Sequence, residues 1–257
     1  MSNYSDRFGG VGRLVGDAGL TRLADAHVCV IGIGGVGSWA AEALARSGVG
    51  RLTLVDMDDV CITNTNRQIH AVDGVVGQPK VSAMAARVQA VNPDCQVEAL
   101  SEFFTASTAD DILGRGFDYI VDAIDTVKHK CLLIVRCRDE GIPLVTVGGA
   151  GGKVDPTQIA VGDLTVSTHD GLLRRVRKKL RQNHGFDSDG PWGLPCVFST
   201  ELPRFPTPDG GVCDRPSPEM SLRLDCASGY GTASFVTGAF GFAASSVVVR
   251  ALAQEPS

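Results

Sequence analysis

The first 150 residues alternate short apolar runs with stretches in which apolar residues recur at helical spacing. The runs at 27–32 and 51–56 are rich in valine, isoleucine and leucine, which is typical of buried strands. Residues 38–47 and 80–92 carry apolar side chains three and four positions apart, which indicates helices with one buried face. This order of strand, helix and strand predicts parallel strands joined by right-handed crossovers.

Three further apolar runs, at 96–100, 119–123 and 143–147, continue the alternation and are separated by helical stretches. We therefore expect an α/β fold with a doubly wound, mostly parallel, Rossmann-like sheet through about residue 150. Residues 4–20 mix charged residues with glycine and predict a short helical arm ahead of the first strand.

After residue 148 the pattern changes. It predicts antiparallel strands within 153–166, a basic helix at 172–182, and a long loop rich in proline and glycine at 185–218. Residues 233–249 carry no charge, which is compatible with either a buried core segment or a membrane helix. Their glycines, hydroxyl side chains and short length favour the core segment, and we expect no membrane contact.

The composition indicates a compact globular protein, with 44% hydrophobic and 21% charged residues in 257. We expect a single domain, with a nucleotide-binding half at 1–150 and an elaborated substrate-binding half at 151–257. The net charge of -5 argues against coating of nucleic acid by bulk positive charge but permits a local basic patch. The eight cysteines include no Cys-x-x-Cys pair, and no apolar signal segment begins the sequence, so we expect reduced thiols and a cytoplasmic location.

Glycines cluster where the first strand meets the first helix, at Gly32, Gly34, Gly35 and Gly37. Glycine lets the backbone approach a phosphate closely, and the free N–H groups of a helix start point at the anion. Asp56 ends the next strand, 19 residues beyond Gly37, where a carboxylate suits a ribose hydroxyl. The pattern predicts a nucleotide site.

Two classes of nucleotide enzyme share these features. A nicotinamide dehydrogenase uses the same glycines and acid, whereas a nucleotidyl transferase also needs cations for a triphosphate. Arg67 and Lys80 lie downstream of Asp56. Attack at an α-phosphate uses such a pair because negative charge builds on the phosphate oxygens as pyrophosphate leaves, and hydride transfer has no use for it.

Four segments together resemble the E1-like (ThiF/MoeB/HesA) adenylating superfamily, and the resemblance covers residues 5–252. They are 7–10 (RFGG), 35–39 (GVGSW), 64–68 (NTNRQ) and 225–229 (DCASG). Within the superfamily they are similar to the tRNA threonylcarbamoyladenosine dehydratase branch. The resemblance implies a homodimer that uses ATP and magnesium to adenylate a carboxylate on tRNA, with a sulfur-transfer protein such as a cysteine desulfurase as a further partner.

The resemblance also implies roles for individual residues. Asp56 holds ribose, while Arg67 and Lys80 bind the ATP phosphates and assist catalysis. Asp125 binds magnesium and assists catalysis, and Arg7 reaches the ATP of a partner subunit. The nucleotide-binding set further includes Asp58, Asn64, Gln68 and Asp122. Each of these residues also has an ordinary structural interpretation, as a turn cap, a surface ion pair or a frayed terminal charge. Asp122 and Asp125 lie three residues apart, so one of them alternatively caps the following helix.

The cysteines help to distinguish the dehydratase branch from the relatives that activate sulfur carriers. Relatives that activate sulfur carriers typically bind zinc through two Cys-x-x-Cys pairs, and this sequence has none. We therefore expect no structural zinc, which favours the dehydratase branch. Cys196 and Cys226 lie nearest the C-terminal glycine-rich loops and are candidate acceptors of an acyl group. The alternative for each is a small buried hydrophobic residue.

Six cations lie within ten residues of the predicted basic helix. They are Arg174, Arg175, Arg177, Lys178, Lys179 and Arg181. Leu173, Val176 and Leu180 share one helical face, which directs a cationic face outward. Such a face predicts contact with tRNA phosphates that positions the RNA without reading its sequence. A merely solvated helix is the alternative.

The resemblance thus implies ATP-dependent cyclisation of N6-threonylcarbamoyladenosine in the tRNA anticodon loop. ATP adenylates the carboxylate of the threonyl side chain, and a nitrogen of the same substituent closes a ring and releases AMP, for a net loss of water. One alternative is activation of the C-terminus of a ubiquitin-like or sulfur-carrier protein. A second alternative is a non-catalytic nucleotide-binding scaffold.

Overall fold

The computed structural model describes residues 3–215 and 230–254. The helices are α1 (Tyr4–Asp25), α2 (Gly35–Arg46), α3 (Lys80–Val91), α4 (Ala109–Leu113), α5 (Val127–Glu140), α6 (Gly171–His184) and α7 (Ser234–Ala253). The strands are β1 (His27–Ile31), β2 (Arg51–Val55), β3 (Gln96–Leu100), β4 (Tyr119–Asp122), β5 (Leu144–Val147), β6 (Ile159–Asp163), β7 (Pro195–Ser199), β8 (Phe205–Pro206) and β9 (Val212–Cys213).

Seven strands form one sheet in the order β3-β2-β1-β4-β5-β7-β6, and β8 and β9 form a separate antiparallel hairpin. All pairings in the large sheet are parallel except that between β6 and β7. Chain order reverses at β1, which lies between β2 and β4. In an open sheet of this kind, a crevice forms at the carboxyl ends of the strands beside that reversal.

The predicted doubly wound α/β fold is confirmed. β1, β2, β4 and β5 lie almost entirely in the core, which explains why their sequences are continuous apolar runs and do not alternate. Helices α1, α2, α3 and α7 belong to the core on one face of the sheet, and α4, α5 and α6 to the core on the other. The helical arm predicted at 4–20 is α1, which bends at Gly16.

The C-terminal half departs from the sequence prediction in two places. The predicted loop at 185–218 contains β7, which pairs with both β5 and β6 and so belongs to the main sheet. Residues 153–166 supply one strand, β6, flanked by two single turns of 3₁₀ helix. An apolar run of five residues between prolines and glycines does not reveal its partner strands, and pairing with β5 is decided by the tertiary fold.

Helix α7 lies against α2, and half of its most apolar stretch is buried. Gly241 allows the close approach, because a Cβ atom there would lie 2.8 Å from the carbonyl oxygen of Val36. Within the described residues, α7 alone is long and apolar enough to cross a membrane by length and composition. Its burial against α2 agrees with the core segment expected at 233–249.

Candidate functional site

A cleft of about 740 Å³ opens at the carboxyl ends of β1, β2, β4 and β5. Residues far apart in sequence meet there because parallel strands end at the same edge of a sheet. The cleft brings together these residues predicted from the sequence: Gly32, Gly34, Gly35, Asp56, Asp58, Asn64, Arg67, Gln68, Lys80 and Asp125. Other predicted residues lie outside its lining, namely Gly37, Asp122, Cys196, Arg7 and the cations of α6.

The glycine loop joins β1 to α2. Gly32 has a φ of 94°, and a Cβ atom there would lie 2.7 Å from the carbonyl oxygen of Ala123, so only glycine fits without displacing the end of the neighbouring strand. Helix α2 begins after Gly34 without a side-chain cap from the described part of the chain. Its first N–H groups are therefore available to an anion, and the helix dipole favours one there.

Gly37 serves packing between α2 and the glycine loop. A Cβ atom at this position would lie 1.8 Å from the carbonyl oxygen of Gly32. The absence of a side chain lets the first turn of α2 press against the loop that precedes it. This geometry supports the packing role that the third glycine of such loops has, and nucleotide contact by Gly37 stays a prediction.

Asp56 ties the glycine loop to the end of β2. Its Oδ2 accepts a hydrogen bond from the backbone N–H of Ile33 at 2.7 Å, and its Oδ1 accepts one from that of Asp58 at 2.9 Å. Burial raises the pKa of the Asp56 carboxyl, while the charge of Lys80 and the two N–H groups oppose the shift. Each oxygen keeps a free lone pair, so the carboxylate can hold the loop and also accept from a ribose hydroxyl.

Lys80 begins α3, and its side chain is 8% exposed. Its Nζ pairs with Oδ2 of the much more exposed Asp58 at 2.7 Å, and its backbone N–H donates to the Asp58 carbonyl at 2.9 Å. The ammonium group is thereby held at the cleft wall by an acid that reaches solvent. An incoming phosphate can compete for this charge because Asp58 is well solvated without the lysine.

Arg67 is fixed through its backbone. Its carbonyl oxygen accepts hydrogen bonds from Nε1 of Trp39 at 2.9 Å and from Oγ1 of Thr237 at 3.0 Å, which anchors the loop to α2 and α7. The guanidinium donates to the carbonyl of Thr63 at 2.8 Å and to Oδ1 of Asn66 at 3.0 Å. These contacts leave several of the five guanidinium N–H groups for a phosphate.

Asn64 and Gln68 are buried in the same loop. Oδ1 of Asn64 accepts from the backbone N–H of Cys61 at 2.9 Å, so this side chain shapes the loop as well as lining the cleft. Oε1 of Gln68 is buried and has no hydrogen-bond partner among residues 3–215 and 230–254. Buried acceptors normally receive a hydrogen bond, so a ligand or water molecule in the cleft would supply the one that Oε1 of Gln68 lacks among the described residues.

Asp122 and Asp125 occupy different environments although they are three residues apart. Asp122 is fully buried, and its Oδ2 lies 2.8 Å from Nζ of the equally buried Lys130 and 2.7 Å from Oγ1 of Thr146, which donates to it. Its Oδ1 accepts from the backbone N–H of Ile124 at 3.1 Å. Both carboxylate oxygens of Asp122 are buried and engaged by internal groups, so this geometry favours a structural role and gives no support to the predicted nucleotide contact.

Asp125 is exposed and lines the cleft on the loop that Asp122 holds. Within the described residues, no group of three or more His, Cys, Asp or Glu side chains could hold a metal. Magnesium typically binds through one or two carboxylates together with substrate phosphates and water, and not in an all-protein cage. A single exposed carboxylate beside a phosphate-binding wall fits that mode of binding.

The wall opposite the glycine loop includes Gly148, Gly149 and the first turn of α6. Asp170 joins these parts. Its Oδ1 accepts from the backbone N–H of Leu173 at 2.8 Å and caps α6, while its Oδ2 accepts from the N–H of Gly149 at 2.7 Å. Asp170 was not predicted from the sequence, although an aspartate directly before a helical pattern is a capping signal.

The candidate thiols were predicted either as acyl acceptors or as small buried hydrophobic residues. Cys196 is fully buried in β7, where burial raises the pKa of its thiol far above the ordinary range. This burial favours the interpretation of Cys196 as a small buried hydrophobic residue, because the thiolate is the reactive form of cysteine. Cys226 lies outside the described residues. Cys61, which was not a candidate from the sequence, is exposed beside the cleft, and a hydrogen bond from the Thr63 hydroxyl lowers the pKa of its thiol.

The cations of α6 divide into engaged and exposed groups. Arg177 donates to the backbone carbonyl of Ser167 at 2.8 Å, and the guanidinium of Arg181 lies 5.2 Å from the centre of the Trp192 ring. The RNA-binding role of the six cations stays a prediction, and the contacts of these two side chains with the protein make them less available to a phosphate. The exposed cations are Arg174, Arg175 and Lys178, and Lys179 is half-buried.

Arg7 lies far from the cleft of its own chain. Its Nη1 donates to the carbonyl oxygen of Val91 at 3.1 Å, at the last residue of α3. Helix α3 starts at the cleft with Lys80 and runs for 12 residues, so its two ends are separated by about 18 Å. A contact between Arg7 and a nucleotide therefore requires the cleft of another subunit.

Comparison with known proteins shows which family and which solved structures this chain resembles. The sequence pattern of the ThiF family matches residues 10–256. A tRNA threonylcarbamoyladenosine dehydratase of Escherichia coli (strain K12) is 50% identical over 250 residues, covering 96% of this chain and 93% of the relative. Another from Haemophilus influenzae is 46% identical over 259 residues, covering 100% and 97%. The crystal structure of the E. coli enzyme TcdA in complex with ATP has a TM-score of 0.86 and 45% identity, covering 98% of this chain and 96% of the other.

Proposed function

This chain belongs to the ThiF family, and we propose that it is an ATP-dependent tRNA threonylcarbamoyladenosine dehydratase. Similarity to two dehydratases along nearly the whole length of each chain supports this function. The observation that carries it is the cleft itself, in which Asp56, Arg67 and Lys80 surround the uncapped start of α2. An ATP complex of a relative with the same fold supports ATP as the nucleotide.

The first chemical step is adenylation. A carboxylate oxygen of the threonyl side chain attacks the α-phosphorus of ATP, the bond to pyrophosphate breaks, and an acyl-adenylate forms. Lys80 and Arg67 stabilise charge on the phosphate oxygens, and Asp56 orients the ribose. Magnesium, when bound with ATP at Asp125, supplies further neutralisation of phosphate charge.

The second step closes the ring. A nitrogen of the same substituent attacks the acyl carbon and loses its proton, and AMP leaves with the former carboxylate oxygen. The balance is loss of one water from the substrate, with ATP converted to AMP and pyrophosphate. Cys61, Cys196 and Cys226 are not needed by this balance, and the fully buried Cys196 is unsuited to carry an acyl group.

We propose that the two halves of the single domain have different functions, nucleotide binding and tRNA binding. Residues 1–150 contain the nucleotide wall of the cleft, and residues 151–257 contribute the basic helix and the opposite wall. The enzyme is proposed to be a cytoplasmic homodimer; the described cysteines are free thiols, in agreement with a reducing compartment. A cysteine desulfurase partner stays a prediction from the sequence resemblance.

Pyrophosphate exchange tests the function against its alternatives. Exchange of radiolabelled pyrophosphate into ATP should require tRNA that carries N6-threonylcarbamoyladenosine and should be absent with the same tRNA lacking the modification. Exchange stimulated by a ubiquitin-like carrier and not by modified tRNA would instead identify a carrier-activating enzyme. Nucleotide binding without exchange under either condition would indicate a scaffold.

The exposed cations of α6 give a prediction about tRNA binding. The triple variant Arg174→Gln, Arg175→Gln, Lys178→Gln should bind modified tRNA more weakly, because it removes charges that meet phosphates. The slope of log affinity against log salt concentration should flatten by about 0.7 to 0.9 for each phosphate contact removed. Fluorescence anisotropy with labelled tRNA at several potassium chloride concentrations measures both quantities.

The double variant Arg177→Gln, Arg181→Gln is a comparison within the same helix, since both side chains are engaged by the protein. It should change the salt slope less than the triple variant does. Thermal midpoints must be matched first, because weaker binding would otherwise report unfolding. Parental affinity and slope in the triple variant would show that tRNA is held elsewhere.

Arg7 gives a prediction about the homodimer. Because Arg7 lies away from its own cleft, we expect it to act on the partner's ATP. Arg7→Ala and Lys80→Ala subunits should each be nearly inactive, but random mixing should produce heterodimers with one intact site and recover about a quarter of parental activity. Absence of recovery, with subunit exchange shown by differently tagged chains, would exclude action in trans.

A further inference from the structure

A second concavity of about 600 Å³ adjoins the ATP cleft. It lies between the first half of α5, the second half of α6 and the segment before α4, and we refer to it as the α5–α6 groove. Its lining consists of Thr105, Ala106, Ser107, Lys128, His129, Cys131, Leu132, Lys179, Asn183 and His184. Neither adenylation nor ring closure uses the groove as a whole.

The groove is continuous with the cleft at two points. His129 lines both concavities. Residues 102–104 line the cleft, and residues 105–107 directly after them line the groove. The two concavities are therefore neighbours along α5, within reach of one chain-like ligand.

The side chains around the groove favour an anion. Lys128 and Lys179 contribute two positive charges, and the histidines, hydroxyls and Asn183 contribute hydrogen-bond donors. Among residues 3–215 and 230–254, no carboxylate belongs to the lining.

Two acids on nearby elements are already paired with a cation. Nη2 of Arg136 lies 2.7 Å from Oδ1 of Asp110 and 2.6 Å from Oε1 of Glu140. These carboxylates therefore do little to offset the lysines of the groove. The groove lining within the described residues thus carries two lysines and no carboxylate, although the whole chain carries a net charge of -5.

The lining also includes the apolar side chains of Ala106 and Leu132 beside the two lysines. This combination suits a ribose–phosphate chain, whose sugars and bases contact apolar surface while its phosphates pair with cations. Lys179 is one helical turn beyond Arg175, so the groove also continues the exposed cationic face of α6. Continuity with both the cleft and α6 favours a long polyanion over a small free anion.

We propose that the α5–α6 groove binds the ribose–phosphate backbone of tRNA next to the nucleotide that enters the cleft. This inference rests on the proposed function and adds a second RNA contact next to the exposed cations of α6. Lys128 and Lys179 bind phosphates there, and His129 lies at the boundary between the groove and the cleft. The groove positions the anticodon loop and reads no sequence.

The double variant Lys128→Gln, Lys179→Gln tests the groove. Its affinity for modified tRNA should fall, and the salt slope should flatten by about 1.4 to 1.8 because two phosphate contacts are removed. Affinity for a non-hydrolysable ATP analogue should stay within twofold of the parent. The double variant Arg51→Gln, Arg250→Gln carries the same charge change at exposed positions outside both concavities and should retain the parental slope.

The outcomes separate the two proposals. Parental affinity and slope in the groove variant, with weakened binding in the Arg174, Arg175 and Lys178 variant, would overturn the groove and leave the function standing. A parent enzyme that neither binds nor converts modified tRNA would overturn both. If the double variant lowers the thermal midpoint, Lys128→Gln alone, at an exposed position, should still flatten the slope by about 0.7 to 0.9.

Discussion

Replacement of Lys80 by alanine is expected to slow adenylation about 100-fold or more. The ammonium group lines the cleft and is 8% exposed, so its interaction with a phosphate is only weakly screened by water. Loss of a positioned charge at the reacting phosphates costs about 2 to 4 kcal/mol in the transition state. The rate of ATP–pyrophosphate exchange with saturating modified tRNA measures the decrease.

The fold should survive the Lys80→Ala change. The partner left behind is Asp58, whose side chain is 56% exposed and is solvated without the lysine. Thermal midpoints should therefore agree closely, unlike those of a variant that strands a buried charge. Arg51→Ala, which removes an exposed cation at the opposite end of β2 from the cleft, serves as the matched control. Near-parental exchange by folded Lys80→Ala protein would disprove the role.

Much of the nucleotide wall was predictable because its signals are local. A strand followed by glycines and a helix describes one continuous stretch of chain, and Asp56 follows the next strand directly. Arg67 and Lys80 are 13 residues apart in sequence, and the turn of chain between them returns both to the same wall. Parallel pairing then carries each of these segments to the same edge of the sheet.

Roles assigned from the sequence are least reliable where only burial distinguishes one side chain from a chemically similar neighbour. Asp122 and Asp125 have the same side chain and lie three residues apart, but Asp122 is the last residue of β4, paired between β1 and β5 and with Lys130 as its counterion. Likewise, helical periodicity alone does not separate the engaged Arg177 from its exposed neighbour Lys178. The engagement of Arg177 depends on a backbone carbonyl in a different segment, which the local pattern does not contain.

The strand β7 was missed for a related reason. Its five residues are flanked by turn-forming residues, and nothing in them specifies pairing with β5 on one side and β6 on the other. Long-range pairing is a property of the assembled sheet, so a short apolar run inside a loop-like segment is ambiguous from sequence. Burial of Cys196 follows from that pairing and agrees with the alternative stated for it from the sequence, a small buried hydrophobic residue.

Lys130→Met is expected to destabilise the protein strongly. Lys130 and Asp122 are both fully buried, with 2.8 Å between Nζ and Oδ2. Nζ also donates to Oγ1 of Thr146 at 3.1 Å and to the Asp122 carbonyl at 3.2 Å. Methionine fills similar space but leaves the Asp122 charge without its counterion. Removing one partner of a buried pair typically costs about 3 to 5 kcal/mol of unfolding free energy.

Urea unfolding followed by circular dichroism measures that cost. Lys128→Met is the matched control, because Lys128 is exposed two residues earlier on α5 and should be replaced with little change in the free energy of unfolding. The Ile124 N–H that holds Asp122 is one residue from Asp125. A loosened loop in the Lys130→Met variant should therefore also weaken magnesium-dependent ATP binding.

The double variant Asp122→Asn, Lys130→Met should recover part of the stability that Lys130→Met loses, because it no longer strands a charge. The amide oxygen can still accept from the Ile124 N–H, and the amide nitrogen can donate to the Thr146 hydroxyl. Buried polar groups that keep a partner cost far less than those left unpaired. Equal stability of the parent and Lys130→Met would show that the pair contributes no net stabilisation, and the internal role assigned to Asp122 would then lose its energetic basis.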